Sequence, residues 1–287
     1  MNKFLLVLVF FWTILLNSQY LEPRRVAKLK ASVVRVMYKN IPIGSGFFIS
    51  KDGFVVTCNH VIKPFLKRVP KPSNLNLYFL DNVFIQLSSG EKLEVGGLEY
   101  LLDKGYEDSF KNDYFILKTK ELPPNSVEAL KLGSWSDVKE GDVVYASGHP
   151  FGIEHNSMST GIISSKFADK RWYKLPLKDT IRHRRESAFI DVTINRGNSG
   201  GPLIKKGRKP KHDRVIGIVS FMATPLSPEL KQLKVLYQSE SKKLPKNQVS
   251  NIKTIGLILK ELENNSFGIG GAISIDYLSA ILKSGNL

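Results

Sequence analysis

The chain has 287 residues and a mass of 32.3 kDa, enough for one large domain or two subdomains with a buried core. Its hydrophobic content of 42% and charged content of 24% are ordinary for globular proteins, and its single cysteine, Cys58, excludes an intrachain disulfide. The net charge of +16 favours anionic partners, such as acidic substrates, anionic surfaces or nucleic acid.

The N-terminus carries an apolar run from Phe4 to Leu16, preceded by Lys3. This run is short for a transmembrane helix and matches the apolar core of a signal peptide. Extended to Leu21, it would instead serve as an uncleaved anchor, and the basic residues that follow it argue against export. We expect residues 1–24 to be a signal peptide or an N-terminal membrane anchor, and the protein to be exported (periplasmic or extracellular) or attached to the membrane.

Beyond Ala27, short segments rich in Val, Ile, Phe and Tyr alternate with turn signals such as Lys51-Asp52-Gly53. Many short strands at this spacing indicate an all-β sandwich or barrel and not βαβ units. The predicted strand segments are SVVRVMYKN, GSGFFIS, GFVVTCNHVI, NLYFL, DYFILKT, DVVYASG, AFIDVTI and RVIGIVSFM.

Two regions depart from the β pattern. Residues 225–266 are rich in Leu, Lys and Glu and contain Ser227-Pro228-Glu229, a typical helix start. The final segment IDYLSAILKSGNL also has a helical pattern. We therefore predict a helical insertion at about 225–266 and a C-terminal helix.

Basic residues cluster in RHRRE (182–186) and in KKGRKPKHDR (205–214). Such clusters form nucleic-acid or lipid-binding patches, or they form solvated hairpin tips. No aromatic residues lie among these charges to stack on bases, which favours hairpin tips.

Ser199 is a candidate nucleophile, because the segment INRGNSGGPL surrounds it with glycines. This segment contains G-x-S-x-G, the nucleophile motif of α/β-hydrolases. That fold places an acid and then a histidine after the serine, yet only His212 follows Ser199 and no acid lies between them. The subtilisin order would need Asp52, a predicted turn residue. Both orders are disfavoured.

The order His, Asp, Ser fits three residues of the chain: His60, Asp113 and Ser199. Each lies where a predicted strand meets a loop, a place where a side chain is both rigidly held and exposed. A serine hydroxyl needs a histidine to accept its proton and a carboxylate to orient that histidine. The pattern therefore indicates a catalytic triad in the order found in chymotrypsin.

The motifs around these residues resemble the trypsin-like serine peptidases of the HtrA/DegP type, over about 31–282. The resemblance implies a chymotrypsin/trypsin-like double β-barrel with the triad in the cleft between two six-stranded barrels. The predicted domain spans 25–287, with a first barrel at about 30–130 and a second at about 131–287. No PDZ domain is expected after the closing helix. The resembling motifs are GSGFFISKDGFVVTCNHVI, DYFILK, LGSWSDVKEGDVVYASGHPFG, FIDVTINRGNSGGPLI and FGIGGAISIDYLSAIL.

The resemblance also implies a role for each residue of the triad. His60 is expected to be the general base, Asp113 its orienting partner and Ser199 the nucleophile. The backbone N–H groups of Gly197, Asn198 and Ser199 are expected to form the oxyanion hole.

Substrate-binding residues follow from the same resemblance. Thr193, six positions before the nucleophile, lies where an acidic residue would select Lys or Arg. Ile194, Ile269 and Gly270 are expected to line the S1 pocket, and Ser220 to lie on the substrate-binding strand as a partner of Asp113. An apolar pocket without a buried charge predicts small or medium aliphatic side chains at P1. The insertion beside this strand is a candidate lid, regulator or oligomer contact.

The predicted function is a serine endopeptidase that acts on polypeptides through an acyl-enzyme intermediate, with a role in protein quality control. The alternatives are a catalytically silent or chaperone-like peptide-binding protein on the same fold, and a basic nucleic-acid- or membrane-binding protein. No cofactor and no metal are expected, because the chain has no HExxH motif and no cysteine pair. Homo-oligomers and contacts with anionic surfaces are further candidate interactions, and nucleic acid is disfavoured.

Overall fold

A computed structural model describes residues 22–68, 78–96, 111–125, 127–174, 180–222 and 269–278, with five helical residues between 232 and 239. Most of the predicted leader (1–24), most of the predicted insertion (225–266) and the C-terminal helix beyond residue 278 lie outside this part of the chain. Within it, no helix is both long enough and apolar enough to cross a membrane.

The described elements are mostly short strands, as the alternating apolar segments predict. The strands are β1 (Val33–Tyr38), β2 (Ile41–Phe48), β3 (Phe54–Thr57), β4 (Leu66–Arg68), β5 (Tyr78–Leu80), β6 (Val83–Gln86), β7 (Lys92–Glu94), β8 (Phe115–Lys118), β9 (Val143–Gly148), β10 (Ser157–Lys174), β11 (Thr180–Asp191), β12 (Pro202–Lys205), β13 (Arg214–Met222) and β14 (Ile269–Ser274). The helices are α1 (Pro23–Ala31) and α2 (Asn59–Ile62), and 3₁₀ turns occupy Lys63–Phe65, Trp135–Asp137, Pro150–Gly152 and Pro210–His212.

The first sheet has six antiparallel strands in the order β7-β6-β1-β2-β3-β8. Its two edge strands are joined just beyond their ends by a bridge between Val95 and Thr119. The Gly96 N–H donates to the Lys118 carbonyl at 2.7 Å next to this bridge. These bonds curl the sheet around a buried core that includes Phe47, a residue with no exposed surface.

The second sheet closes into a barrel in the order β10-β11-β14-β13-β12-β9. Two glycines permit close backbone packing in this barrel. A Cβ on Gly161 would lie 1.6 Å from the Asp191 carbonyl oxygen, and one on Gly201 would lie 2.0 Å from the Ser147 carbonyl oxygen. The two sheets therefore confirm the double-barrel fold class.

The barrels meet along an interface that we call the interbarrel seam. It is formed by β1 and β2 of the first sheet against β9 and the Pro150–Gly152 turn of the second. A second connection involves α1, whose buried Arg25 donates from Nε to an Asp213 carboxylate oxygen at 2.8 Å. The partner carboxylate compensates the burial of the guanidinium and ties α1 to the β12–β13 connection.

The two basic clusters occupy different positions in the barrel. Residues 205–214 form the β12–β13 connection with its 3₁₀ turn, as expected for a hairpin tip. Residues 182–186 lie instead within β11, where Arg182 pairs with Trp172 and Glu186 with Ala168. The hairpin-tip prediction for residues 182–186 is wrong, because the ladder between β10 and β11 extends much farther along the chain than the apolar segments indicated.

Candidate active site

Two predicted triad residues lie together at one end of the first sheet. His60 is in α2, which directly follows β3, and Asp113 stands just before β8. Because β3 and β8 are paired neighbours with Thr57 opposite Phe115, the residues beyond these ends are adjacent. The Asn59 N–H donates to the Asp113 carbonyl at 3.2 Å, which fixes the two loops against each other.

The Asp113 carboxylate holds His60 at two points. The His60 Nδ1 atom lies 2.9 Å from Oδ2 and 3.1 Å from Oδ1, and the His60 backbone N–H donates to Oδ1 at 3.0 Å. The Ser220 hydroxyl donates to Oδ2 from the other side. A carboxylate only accepts, so Nδ1 carries a ring proton, and the neutral form of the ring has its lone pair on Nε2.

The charge on Asp113 is stabilised by these same contacts. Burial alone raises the pKa of this carboxyl, but the hydrogen bonds and charge of His60 and the hydroxyl of Ser220 outweigh burial and lower the pKa below its ordinary value. The carboxylate is therefore ionised at neutral pH. The side chain of His60 is 47% exposed, which leaves one edge of the imidazole open to a substrate.

Ser199 approaches this pair from the second barrel. It lies in the turn between β11 and β12, and its carbonyl accepts the Ser45 N–H of β2 at 2.8 Å. A Cβ on Gly44 would lie 3.1 Å from the Ser199 carbonyl oxygen and 2.8 Å from the side chain of Val61, the residue after His60. Among the hydrogen bonds of the described residues, none joins the Ser199 hydroxyl to His60. Such bonds commonly tighten when substrate binds.

The turn that contains Ser199 requires glycine at two positions, one on each side of the serine. Gly197 has φ +94° and Gly200 has φ +91°, a region that side chains disfavour. A Cβ on Gly197 would lie 2.2 Å from the His149 carbonyl oxygen, and one on Gly200 would lie 2.1 Å from the Ser45 carbonyl oxygen. The glycine-rich motif is explained by these close backbone approaches.

The amide groups of this turn differ in their availability. The Asn198 N–H donates to the Asn195 carbonyl at 3.1 Å, which closes the turn and differs from the expectation that Asn198 supplies an oxyanion donor. The Phe151 N–H holds the Arg196 carbonyl at 2.5 Å, so the Gly197 N–H of the same peptide group points the opposite way. Within the described part of the chain, the N–H groups of Gly197 and Ser199 have no hydrogen-bond partner.

The predicted substrate-binding residues are only partly brought together. Ile194 is buried and packs directly on β14, where a Cβ on Gly270 would lie 2.3 Å from the Ile194 side chain. Thr193 is exposed, and Ile269 begins β14 opposite Asp191. Ser220 is directed at the triad carboxylate. The S1 pocket stays a prediction.

Comparison with known proteins decides the family. Residues 44–218 match the family model described as a trypsin-like peptidase domain. The chain belongs to this family. One curated relative, "Probable periplasmic serine endoprotease DegP-like" from Pseudomonas fulva (strain 12-X), is 34% identical over 163 residues, or 56% of this chain and 26% of that protein. The protein of the same description from Rickettsia prowazekii (strain Madrid E) is 33% identical over 66% of this chain and 30% of its own length.

Among solved structures, "HtrA-type protease AlgW with decapeptide" matches with a TM-score of 0.49 and 18% sequence identity, over 91% of this chain and 66% of that chain. The chain spans less than a third of the length of each of the two curated relatives named above. The resemblance to the HtrA/DegP type that its motifs indicate is confirmed.

One cluster of metal-type ligands exists among the described residues of this trypsin-like peptidase domain. Cys58, His60 and Asp113 place one ligand atom each within 4.8 Å of one another. Burial raises the pKa of the Cys58 thiol well above its ordinary value, and the thiol contacts the Val219 carbonyl oxygen at 3.3 Å. A protonated buried thiol and an occupied imidazole nitrogen make a poor metal site.

Sequence reasoning missed two residues that connect the two barrels of this peptidase domain across the interbarrel seam. Ser45 donates its hydroxyl to the Gly197 carbonyl at 2.6 Å. Arg35, its cross-strand partner in β1, donates from Nη1 to the Gly152 carbonyl at 2.8 Å. The one available signal was the pair of glycines that flank Ser45, since glycine in a strand marks a close backbone approach.

Proposed function

We propose that this domain is a serine endopeptidase, with His60, Asp113 and Ser199 as its catalytic triad. The observation that carries the proposal is the two-point contact of the Asp113 carboxylate with His60, made at the strand ends that the Ser199 turn packs against. Membership of the trypsin-like peptidase family and similarity to proteins named serine endoproteases support the same activity.

The proposed reaction begins when the Ser199 hydroxyl oxygen attacks the carbonyl carbon of the scissile peptide. The hydroxyl proton passes to Nε2 of His60, and Asp113 stabilises the imidazolium that forms. The negative charge on the former carbonyl oxygen is stabilised by the N–H groups of Gly197 and Ser199. Collapse of the tetrahedral intermediate returns the proton from His60 to the leaving amine, and water then hydrolyses the acyl-enzyme by the same route.

The proposed substrates are polypeptides with a small or medium aliphatic P1 residue. Ile194 and Gly270 supply an apolar wall, and Thr193 carries no charge that would attract Lys or Arg. A library of peptides that varies only at P1 measures this preference. Higher kcat/KM for Lys or Arg than for Val or Ala would contradict it.

We further propose that residues 25–287 form one peptidase domain, with barrels at about 30–130 and 131–287, exported behind a leader at 1–24. The proteins named periplasmic support export, and a role in protein quality control follows the same similarity. The N-terminal sequence of the protein recovered from membrane and soluble fractions separates a cleaved signal peptide from a retained anchor.

Labelling with a fluorophosphonate probe tests the proposed activity. The probe forms a covalent bond with an activated serine, so wild type should be labelled and Ser199→Ala should not. Ser136→Ala removes an exposed hydroxyl from a 3₁₀ turn and is the matched control, expected to label like wild type. An unlabelled wild type that still binds peptides would instead support the catalytically silent alternative.

A further inference from the structure

One buried serine of the first sheet contacts the Ser199 turn across the interbarrel seam. Ser45 lies in β2 and has no exposed surface. Its hydroxyl donates to the Gly197 carbonyl at 2.6 Å and accepts the His149 N–H at 2.8 Å. Its backbone N–H donates to the Ser199 carbonyl at 2.8 Å. A single residue of the first sheet therefore holds two peptide groups of a turn that belongs to the second barrel.

These two peptide groups stand on either side of a proposed oxyanion donor. The Ser199 N–H belongs to the peptide group between Asn198 and Ser199. Ser45 holds the group before it through the Gly197 carbonyl and the group after it through the Ser199 carbonyl. Because peptide groups are planar and rotate only about φ and ψ, fixing both neighbours restricts the direction of the N–H between them.

The surroundings of Ser45 make its hydroxyl a specific requirement. A Cβ on Gly148 would lie 2.9 Å from the Ser45 hydroxyl oxygen, so the site has no spare volume. The Thr57 hydroxyl donates to the Ser45 carbonyl at 2.7 Å, which anchors the serine itself. Without the hydroxyl, the Gly197 carbonyl and the N–H of the buried His149 would lose their shared partner, which removes a restraint on the turn.

We propose that Ser45 is a positioning residue for the oxyanion hole, which it orients from the opposite barrel through the Gly197 and Ser199 carbonyls. This inference rests on the proposed peptidase function. It assigns no contact with substrate to Ser45. Ser45 acts by holding the N–H donors of the turn in the direction that stabilises the charge that develops in the transition state.

Ser45→Ala and a matched variant, Ser32→Ala, test the proposal. Ser32 is another fully buried serine, at the C-terminal end of α1 just before β1, and its hydroxyl donates to the Glu128 carbonyl, away from the turn. We expect Ser45→Ala to lower kcat and the fluorophosphonate labelling rate about tenfold to a hundredfold with little change in KM, a smaller loss than removal of an oxyanion donor. Ser32→Ala should keep both rates near wild type at a comparable loss of stability.

Hydrogen exchange supplies a readout that does not depend on activity. Both substitutions are also made in a Ser199→Ala background, and exchange is measured in peptides that cover residues 195–201. Faster exchange in this turn with Ser45→Ala, but not with Ser32→Ala, is expected. If Ser45→Ala matches Ser32→Ala in rates and in exchange, the inference is overturned. If wild type is not labelled, the peptidase proposal fails, and the exchange comparison still decides whether Ser45 holds the turn.

Discussion

The two halves of the candidate site are held in place by different forces. In the first half, an ionised carboxylate fixes His60 through charge-assisted hydrogen bonds within one sheet. In the second half, the contacts that the described residues make with the peptide groups of the Ser199 turn are neutral hydrogen bonds, several of them across the seam. The first half depends on one side chain, whereas the second depends on how two barrels meet.

Removing the charge in the first half should have the largest effect. Asp113→Asn presents an amide that donates to Nδ1, which moves the ring proton to Nε2 and removes the base. We expect kcat to fall about ten-thousand-fold, as in other triads, with KM little changed. Steady-state peptide hydrolysis measures this loss. Asp137→Asn, on an exposed 3₁₀ turn, should stay near wild type, and similar rates for both variants would contradict the role of Asp113.

A methyl group added to the turn that carries Ser199 should have the next largest effect on kcat. Gly197→Ala places a Cβ against the His149 carbonyl at a backbone angle that side chains disfavour, so the turn must shift and its N–H donors with it. We expect kcat to fall about a hundredfold to a thousandfold. Gly90→Ala introduces the same kind of strain at φ +89° in open space and should leave the rate unchanged. Equal rates for both variants would count against the donor role of Gly197.

The third and smallest expected effect concerns stability near the second half. Burial lowers the pKa of His149 to about 4, and its Nδ1 lies 3.1 Å from the Ile153 carbonyl oxygen. In the unfolded chain this histidine has its ordinary pKa of 6.5. Below pH 6.5 the unfolded chain therefore binds a proton at this side chain, whereas the buried imidazole of the folded protein stays neutral until the pH nears 4. The contribution of the neutral His149 to the free energy of unfolding is therefore fully present above pH 6.5. It is lost as the pH falls towards about 4, by at most about 1.4 kcal/mol per pH unit.

Urea unfolding of His149→Gln at several pH values between 7.5 and 4.5 measures this contribution. The variant should lose less unfolding free energy on acidification than wild type. His155→Gln replaces an exposed histidine in the same loop and should keep the wild-type pH dependence. The same pH dependence in wild type and in both variants would show that the burial of His149 does not cause the loss of unfolding free energy at low pH.

Several parts of the fold could be predicted from local patterns. The strands β2, β3, β8 and β13 coincide with apolar segments, because short runs of buried, mostly β-branched and aromatic residues leave a clear signal. The length of the β10–β11 ladder could not be predicted, since it includes charged residues such as Arg182, opposite Trp172, and Lys170, opposite Arg184, which leave no apolar pattern in the sequence. Polar strands of this kind look like loops in sequence.

The candidate site divides in a similar way. Its side-chain chemistry could be proposed from the chain, because His60, Asp113 and Ser199 follow the order His, Asp, Ser and glycines surround the serine. The engagement of Asn198 by Asn195 and the availability of Gly197 were not visible. Backbone amides leave no mark in sequence, and only their hydrogen bonds distinguish a free donor from an occupied one.

The sequence by itself determined which residue types are available for the proposed chemistry and in what order they occur, because nucleophile, base and carboxylate need particular side chains. It also determined where glycine is required, because close backbone approaches exclude every other residue. Only the tertiary structure decided what orients the turn around Ser199. The residue proposed to do so, Ser45, lies more than 150 positions before Ser199 in the sequence, and it reaches the turn only because one barrel docks on the other.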